Sequence, residues 1–277
     1  MFKSILCAVD GSSYTQSVLE HGLHLAQRTG AVVRLISIID VRMFEWVSAI
    51  SLDGFVPAIP GPNYLKESKS ILEQKAEQTI AKAASYFAEN DMQVQSEIVS
   101  GVPADAINEA SRQVDIVICG QRGDYAQWSG QLLGATTEAL THIISRPLLI
   151  VGNKYYRLEH LIAAYDASDC ASKALKLGME MAELLKLDAS VIAVAETESA
   201  LEILEEAKVF CDPYAVKTEF VDLQGPFADA LLNFQREKDA AFVVMGSHGK
   251  SKIKQVFVGS NTLELLRRST FPVVLQK

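Results

Sequence analysis

The chain lacks any apolar run long enough to cross a bilayer or to form a secretory core, since the N-terminal run Ile5-Leu6-Cys7-Ala8-Val9 is broken at Asp10. A soluble, cytoplasmic protein without a membrane partner is expected. Cysteine is scarce: Cys7, Cys119, Cys170 and Cys211 are scattered with no C-x-x-C spacing, which argues against a disulfide scaffold or a zinc motif. Cys7 and Cys119 lie inside apolar runs, where a reduced, buried thiol is the ordinary outcome and suits a reducing compartment. A basic excess is missing too. The formal net charge is −8, with 11 basic against 16 acidic residues up to Gly152 and 15 against 18 beyond it. Neither half carries the positive charge that a phosphate backbone demands, so nucleic acid is excluded as a partner.

What is present is apolar bulk, 49% of 277 residues, enough for one large domain or two of ordinary size. Periodicity favours two. Residues 2–9 form a β-type run, stop at Asp10-Gly11-Ser12-Ser13, and give way to Val18, Leu19, Gly22, Leu23, Leu25 and Ala26 at helical spacing. Gly30 stops that helix, and residues 31–39 are nearly continuous in apolar side chains, as a strand covered on both faces should be. Residues 42–63 interrupt the rhythm with Phe44, Trp46, Ile50, Phe55 and Ile59 among prolines and glycines. Such a connection folds over its own core, covers a ligand or meets a partner. The alternation then resumes: a long helix over 64–90, an edge-type strand over 91–100, a helix opened by Pro103, a buried strand over 115–119, a helix ending near 145 and a strand over 147–151. The same order recurs, with strands expected over 157–165, 189–195, 215–223, 241–245 and 272–276. A repeat this long is no solenoid; it describes two doubly wound α/β domains in tandem, residues 1–152 and 153–277.

In an open parallel sheet, ligands collect outside the carboxyl ends of the strands, where strand order reverses. Asp10 and Asp166 follow the first strand of each half, a position that suits a helix N-cap or a ligand contact equally. Glycine loops follow the fourth strands. The second half has Gly246-Ser247-His248-Gly249, nine residues, then Gly259-Ser260-Asn261; the first has Gly120-Gln121-Arg122-Gly123, ten residues, then Gly134-Ala135-Thr136. Glycines let backbone N–H groups approach a phosphate, and a helix beginning near Ser260 offers unpaired N–H groups and the positive end of its dipole. Lys250, Lys252 and Lys254 stand between the two parts of the second loop. Better-known phosphate loops are absent. A Walker A loop ending in Gly249-Lys250-Ser251 needs glycine where Val244 stands, and no G-x-G-x-x-G follows an expected strand. His21 and His24 lack a third metal ligand and fit a surface or helix-packing role. Nothing pairs His248 with a nucleophile and an acid, so no catalytic residue is assigned.

Together with the openings Ala8-Val9-Asp10-Gly11-Ser12 and Ala164-Tyr165-Asp166-Ala167-Ser168, the second glycine loop makes the chain resemble, over nearly its whole length, a tandem universal stress protein. The resemblance implies an adenine nucleotide alpha hydrolase-like fold, a five-stranded parallel sheet in each half, and ATP as ligand, with Mg²⁺ as a companion left open. It implies Asp166 against the adenosine, backbone groups of Val194 at adenine, Gly246 near the ribose, and Gly249, Gly259, Ser260 and Asn261 on the phosphates, with His248 touching ribose or phosphate. The matching first-half positions, Asp10, Ile38, Gly120, Arg122, Gly123, Gly134, Ala135 and Thr136, make a second nucleotide site in altered form: the hydroxyl of Ser260 has no direct counterpart, and Thr136 comes one place later. The fifth strands are further implied to meet across the centre as an intramolecular pseudo-dimer, a homodimer of chains being left open. The leading function is that of an ATP-binding stress factor. A slow ATP hydrolase or nucleotidyl transferase on the same fold, and a ligand-free dimerisation scaffold, stand as alternatives.

Overall fold

The computed structural model describes residues 2–42, 62–124, 132–195, 200–238, 241–248 and 258–277. The apolar connection expected over 42–63 falls almost wholly outside them, as do Gly249, Lys250, Lys252 and Lys254. The first half runs β1 (Ser4–Ala8), α1 (Thr15–Thr29), β2 (Val32–Asp40), α2 (Pro62–Ala88), β3 (Gln95–Gly101), α3 (Pro103–Ser111), β4 (Ile116–Gly120), α4 (Ala135–Ile143) and β5 (Leu148–Val151). The second runs β6 (His160–Ala164), α5 (Asp169–Leu185), β7 (Asp188–Ala195), α6 (Leu201–Cys211), β8 (Thr218–Gln224), α7 (Phe227–Glu237), β9 (Ala241–Gly246), α8 (Ser260–Arg268) and β10 (Val273–Gln276). Among the described residues no helix is long and apolar enough to cross a membrane.

All ten strands join one sheet in the order β3-β2-β1-β4-β5-β10-β9-β6-β7-β8. Within each half every pairing is parallel. The halves meet where β5 and β10 pair antiparallel, Leu149 opposite Val274. That pairing satisfies backbone groups that would otherwise be two open sheet edges. It also buries Leu148, Leu149, Ile150, Val273, Val274 and Leu275, each contributing about 2 kcal/mol by removal from water. Helices cover both faces. On one, α1, α2, α5 and α6 close over a cluster that includes Phe87 and Phe242; on the other, α3, α4, α7 and α8 close over Ile107, Leu140, Leu231 and Leu265. Each cluster continues from one half into the other across the β5–β10 seam.

Local chemistry sets the boundaries. Gly30, at φ +71°, ends α1 by donating its N–H to the Ala26 carbonyl at 2.8 Å. The third strand begins at Gln95 rather than at 91, because Asp91 takes a left-handed φ of +57° and the Met92 N–H folds back onto the Phe87 carbonyl, closing α2. The strand expected from 157 begins at His160, since the preceding segment lies on α1 instead of in the sheet. There the Ser17 hydroxyl donates to the Lys154 carbonyl at 3.0 Å, and the Tyr155 hydroxyl lies 3.1 Å from His24 Nδ1. His21 is wholly buried beside them, its Nδ1 donating to the Ser17 carbonyl at 2.7 Å and its ring edge-on to Tyr155. Cys7 is buried as well, and desolvation pushes its thiol up to about 12.

Strand and helix come together closely at Gly246 and Gly120. A Cβ on Gly246 would stand 2.8 Å from the Cys170 carbonyl carbon and 2.9 Å from the Ala171 nitrogen; one on Gly120 would stand 2.6 Å from Tyr14 Cβ. Since backbone cannot step aside as a side chain does, Gly246→Ala is expected to destabilise the fold by about 1–3 kcal/mol in urea unfolding. His21 generates a pH prediction. Burial lowers its pKa to about 4, whereas the unfolded chain takes up the proton near 6.5. Its contribution is therefore complete above pH 6.5 and is lost as pH falls towards 4, by about 3 kcal/mol in all. His21→Gln should flatten the fall in unfolding free energy across that window, measured by denaturant melts at several pH values.

Candidate functional site

The sheet reverses order between β1 and β4 in the first half and between β6 and β9 in the second, and the residues singled out from the sequence gather at those strand ends. In the first half they line a cavity of about 540 Å³, a size in the small-molecule range. Asp10, Ile38, Gly120, Arg122, Gly123, Gly134, Ala135 and Thr136 all stand on its wall. Val18, Ile39, Leu72, Ile107 and Leu133 make the wall largely apolar.

The turn after each first strand is built alike. Asp10 Oδ1 accepts the Ser12 N–H at 2.9 Å, and Gly11 stands at φ +79°; Asp166 Oδ1 accepts the Ser168 N–H at 3.0 Å, and Ala167 stands at φ +57°. Asp166 is therefore not the N-cap of α5. Ser168 is, its hydroxyl oxygen accepting the Ala171 N–H at 3.2 Å. The aspartate holds the turn with one oxygen. In the first half the other oxygen, Asp10 Oδ2, lies so close to Gly123 that a Cβ there would come within 2.6 Å of it.

At the second strands, backbone alternation presents free edges. The Ile36 carbonyl accepts the Val9 N–H at 2.9 Å, so the N–H and C=O of Ile38, two residues on, face the same way, beyond the end of β1. Val194 is placed equivalently, because the Ile192 carbonyl accepts the Tyr165 N–H at 2.8 Å just past the end of β6.

The glycine loops share one frame despite their different lengths. The Gly134 N–H donates to the Gln121 carbonyl at 3.0 Å, and the Gly259 N–H to the Ser247 carbonyl at 3.1 Å. The Thr137 hydroxyl donates to the Gly120 carbonyl at 2.7 Å, and the Thr262 hydroxyl to the Gly246 carbonyl at 3.5 Å. These bonds align Gly134 with Gly259, Ala135 with Ser260 and Thr136 with Asn261. Gly134 and Gly259 are the N-caps of α4 and α8, and neither helix has a side-chain cap. No side chain among the described residues caps their first-turn N–H groups. Ser260 and Asn261 are exposed, and among the described residues a Cβ on Gly259 would meet nothing nearer than Thr262 Oγ1 at 3.7 Å. Gly249 lies outside the described residues.

The charged groups depart from their expected arrangement. Arg122 does not face the cavity as a free cation: its Nε donates to the Leu132 carbonyl at 2.7 Å, and its two terminal nitrogens stand 3.5 Å from the Tyr14 hydroxyl and the Arg267 carbonyl. Lys75 of α2, ion-paired with Asp124, also lines the cavity. No motif marks Lys75; only the packing of α2 beside the Gly11 turn brings it there. Arg42 forks onto Asp40 with bonds of 2.9 and 2.6 Å; burial alone would raise that carboxyl, and the fork overrides it and holds it below its usual range. His248 Nδ1 lies 2.6 Å from the Ser247 hydroxyl. Burial, then Lys277 and His142, keep its imidazole below the ordinary range.

With the geometry in place, the likenesses to known proteins fit it. The sequence profile of the Universal stress protein family matches residues 1–152 and again 158–277. A universal stress protein of Synechocystis, Slr1230, is 26% identical over 283 residues, covering 98% of this chain and 99% of its own. One from Mycolicibacterium smegmatis is 25% identical over 298 residues, covering 98% and 96%. Among solved structures, a universal stress protein from Archaeoglobus fulgidus superposes with a TM-score of 0.75 at 20% identity, covering 100% of this chain and 99% of that one. One from Pseudomonas aeruginosa gives 0.64 at 14% identity, covering 100% and 93%. Twice matched by the profile and carrying the same strand-end frame in both halves, the chain belongs to the universal stress protein family.

Proposed function

We propose that this chain is an ATP-binding stress factor of the cytoplasm in which occupancy of the strand-end sites, rather than turnover, is the working event. The observation that carries the reading is the frame common to both halves: a turn-holding aspartate, a vacated strand edge and a helix N-terminus without a side-chain cap, converging in the first half on a cavity of about 540 Å³. The pieces suit the parts of the nucleotide. An apolar wall takes the base, the peptide edge of Ile38 or Val194 offers it a donor and an acceptor, and the first turn of α4 or α8 receives phosphate. Mg²⁺ would accompany the phosphates. Catalytic machinery is not part of the proposal: His248 has a serine beside it that is buried, and Asp10 already accepts bonds from Ser12 and Thr15.

The halves are proposed to differ in strength. The second retains Ser260 and Asn261 on an exposed first turn, while the first has Ala135 and Thr136 with its nearby lysine already paired to Asp124. Gly259→Val is the matching test, because among the described residues a Cβ there meets nothing nearer than an ordinary contact of 3.7 Å to Thr262 Oγ1. Native mass spectrometry at millimolar ATP should show nucleotide on the wild-type chain. The variant should bind it about tenfold more weakly in the second half, equivalent to about 1.4 kcal/mol, with an unchanged melting temperature. A wild-type chain that takes up no nucleotide, or a variant of undiminished affinity, would remove the proposal.

A further inference from the structure

The two helices whose N-termini face the sites are each fastened at the far end by the opposite half. α8 starts in the second half's loop, and its last carbonyls end beside the loop of the first half. There the side-chain amide of Gln121 donates to the Leu266 carbonyl and, at 3.0 Å, to the Ser269 carbonyl. Gln121 is 6% exposed, and its amide satisfies carbonyls that a helix C-terminus leaves without partners. α4 is held in the mirrored way. Lys277 Nζ donates to the His142 carbonyl at 2.6 Å, and the Val258 N–H points to His142 Nδ1 at 3.4 Å. Arg267 Nη2 lies 3.5 Å from Glu138 Oε1, so the end of α8 lies by the start of α4.

The loop frame does not itself need a glutamine. The Gln121 N–H donates to the Val151 carbonyl at 2.8 Å, and the Ser247 N–H, at the matching place, donates to the Gln276 carbonyl at the same 2.8 Å. The long side chain adds one thing, a bond across the seam. A helix of nine residues is a rod of about 13 Å, too short to absorb an axial shift, so fixing one end aims the other. Hydrogen bonds to a phosphate lose strength over a few tenths of an ångström, while the turn at Asp166 and the edge at Val194 belong to the sheet and do not move with α8.

We propose that Gln121, although it belongs to the first half's loop, is a positioning residue for the second half's site: by capping the carboxyl end of α8 it aims the N–H groups of Gly259, Ser260 and Asn261 at phosphate. The inference rests on the nucleotide reading above. It adds that phosphate affinity in one half is set by a side chain of the other. Lys277, capping α4, does the same for the first half.

The test separates phosphate from base. Ala135→Asp silences the first half, because a carboxylate on the exposed first turn of α4 suits the helix dipole and repels phosphate. In that background Gln121→Met keeps length and bulk but cannot donate. Calorimetric titration should then show ATP bound about tenfold more weakly, the scale of one misaligned charge-assisted hydrogen bond, with adenosine affinity unchanged. Unaltered ATP affinity, or an equal loss for ATP and adenosine as from a loosened fold, overturns the proposal. A parent Ala135→Asp chain that takes no ATP is a different failure, since it strikes the nucleotide reading itself and the inference falls with it. Should Gln121→Met not fold, Lys277→Met in the Gly259→Val background puts the same question to the first half. There ATP is again expected to weaken about tenfold with adenosine unchanged, and an undiminished ATP affinity overturns the proposal.

Discussion

The antiparallel pairing of β5 with β10 is the contact on which the rest of the molecule depends. Each half alone would be a five-stranded parallel sheet with an apolar outer strand, Leu148 to Val151 or Val273 to Gln276, left to pair with another chain. Joining those strands turns two sheets into one and lets the apolar clusters on both faces run through the seam. It also decides where the loops go. Since β4 and β9 flank an antiparallel seam, the glycine loops that follow them stand at opposite ends of the sheet, and α4 and α8 run antiparallel to each other. A fold-level constraint, the satisfaction of two sheet edges, thus places the far end of each of these helices beside the other half's strand-end site.

Within each half the site is a consequence of parallel-strand geometry rather than of reactive side chains. Where β1 and β6 stop, the next strand runs on with an unpaired peptide edge, and the helix after β4 or β9 begins without a side-chain cap. Those are the backbone groups that a nucleotide can use. The side chains nearby are mostly engaged in holding that backbone: Asp10 and Asp166 on their turns, Arg122 on Leu132, Arg42 on Asp40. The glycines divide in the same spirit. Gly246 is required by the closeness of α5, whereas a Cβ on Gly259 would meet the described residues only at ordinary contact distances.

Much of this was legible in the residues. The strand–turn–helix rhythm, the stop at Gly30 and the edge character of β3 follow from local periodicity, and the first-half positions chosen by matching the two halves all reach one cavity. What escaped was tertiary. Lys75 sits in the middle of a long amphipathic helix, and nothing local says that this face of α2 closes over the Gly11 turn. Arg122 looked like a ligand for anions because its loop faces the site, but its guanidinium turns back to backbone carbonyls. Asp166 could not be told from a helix cap by sequence, since Ser168, two places on, is an equally good capping residue and takes that role. Gln121 showed no signal at all: its partners are carbonyls 145 and 148 residues away, and the backbone carries no mark in a sequence.

The central claim is that main-chain amides at the starts of α8 and α4 hold phosphate. Amide resonances of Gly259, Ser260 and Asn261, and of Gly134, Ala135 and Thr136, followed by NMR during titration with ATP and separately with adenosine, test it most directly. The account predicts large shifts of these amides with ATP and small ones with adenosine, while Val194 and Ile38 respond to both. ATP that binds without moving the amides of either helix start would contradict it.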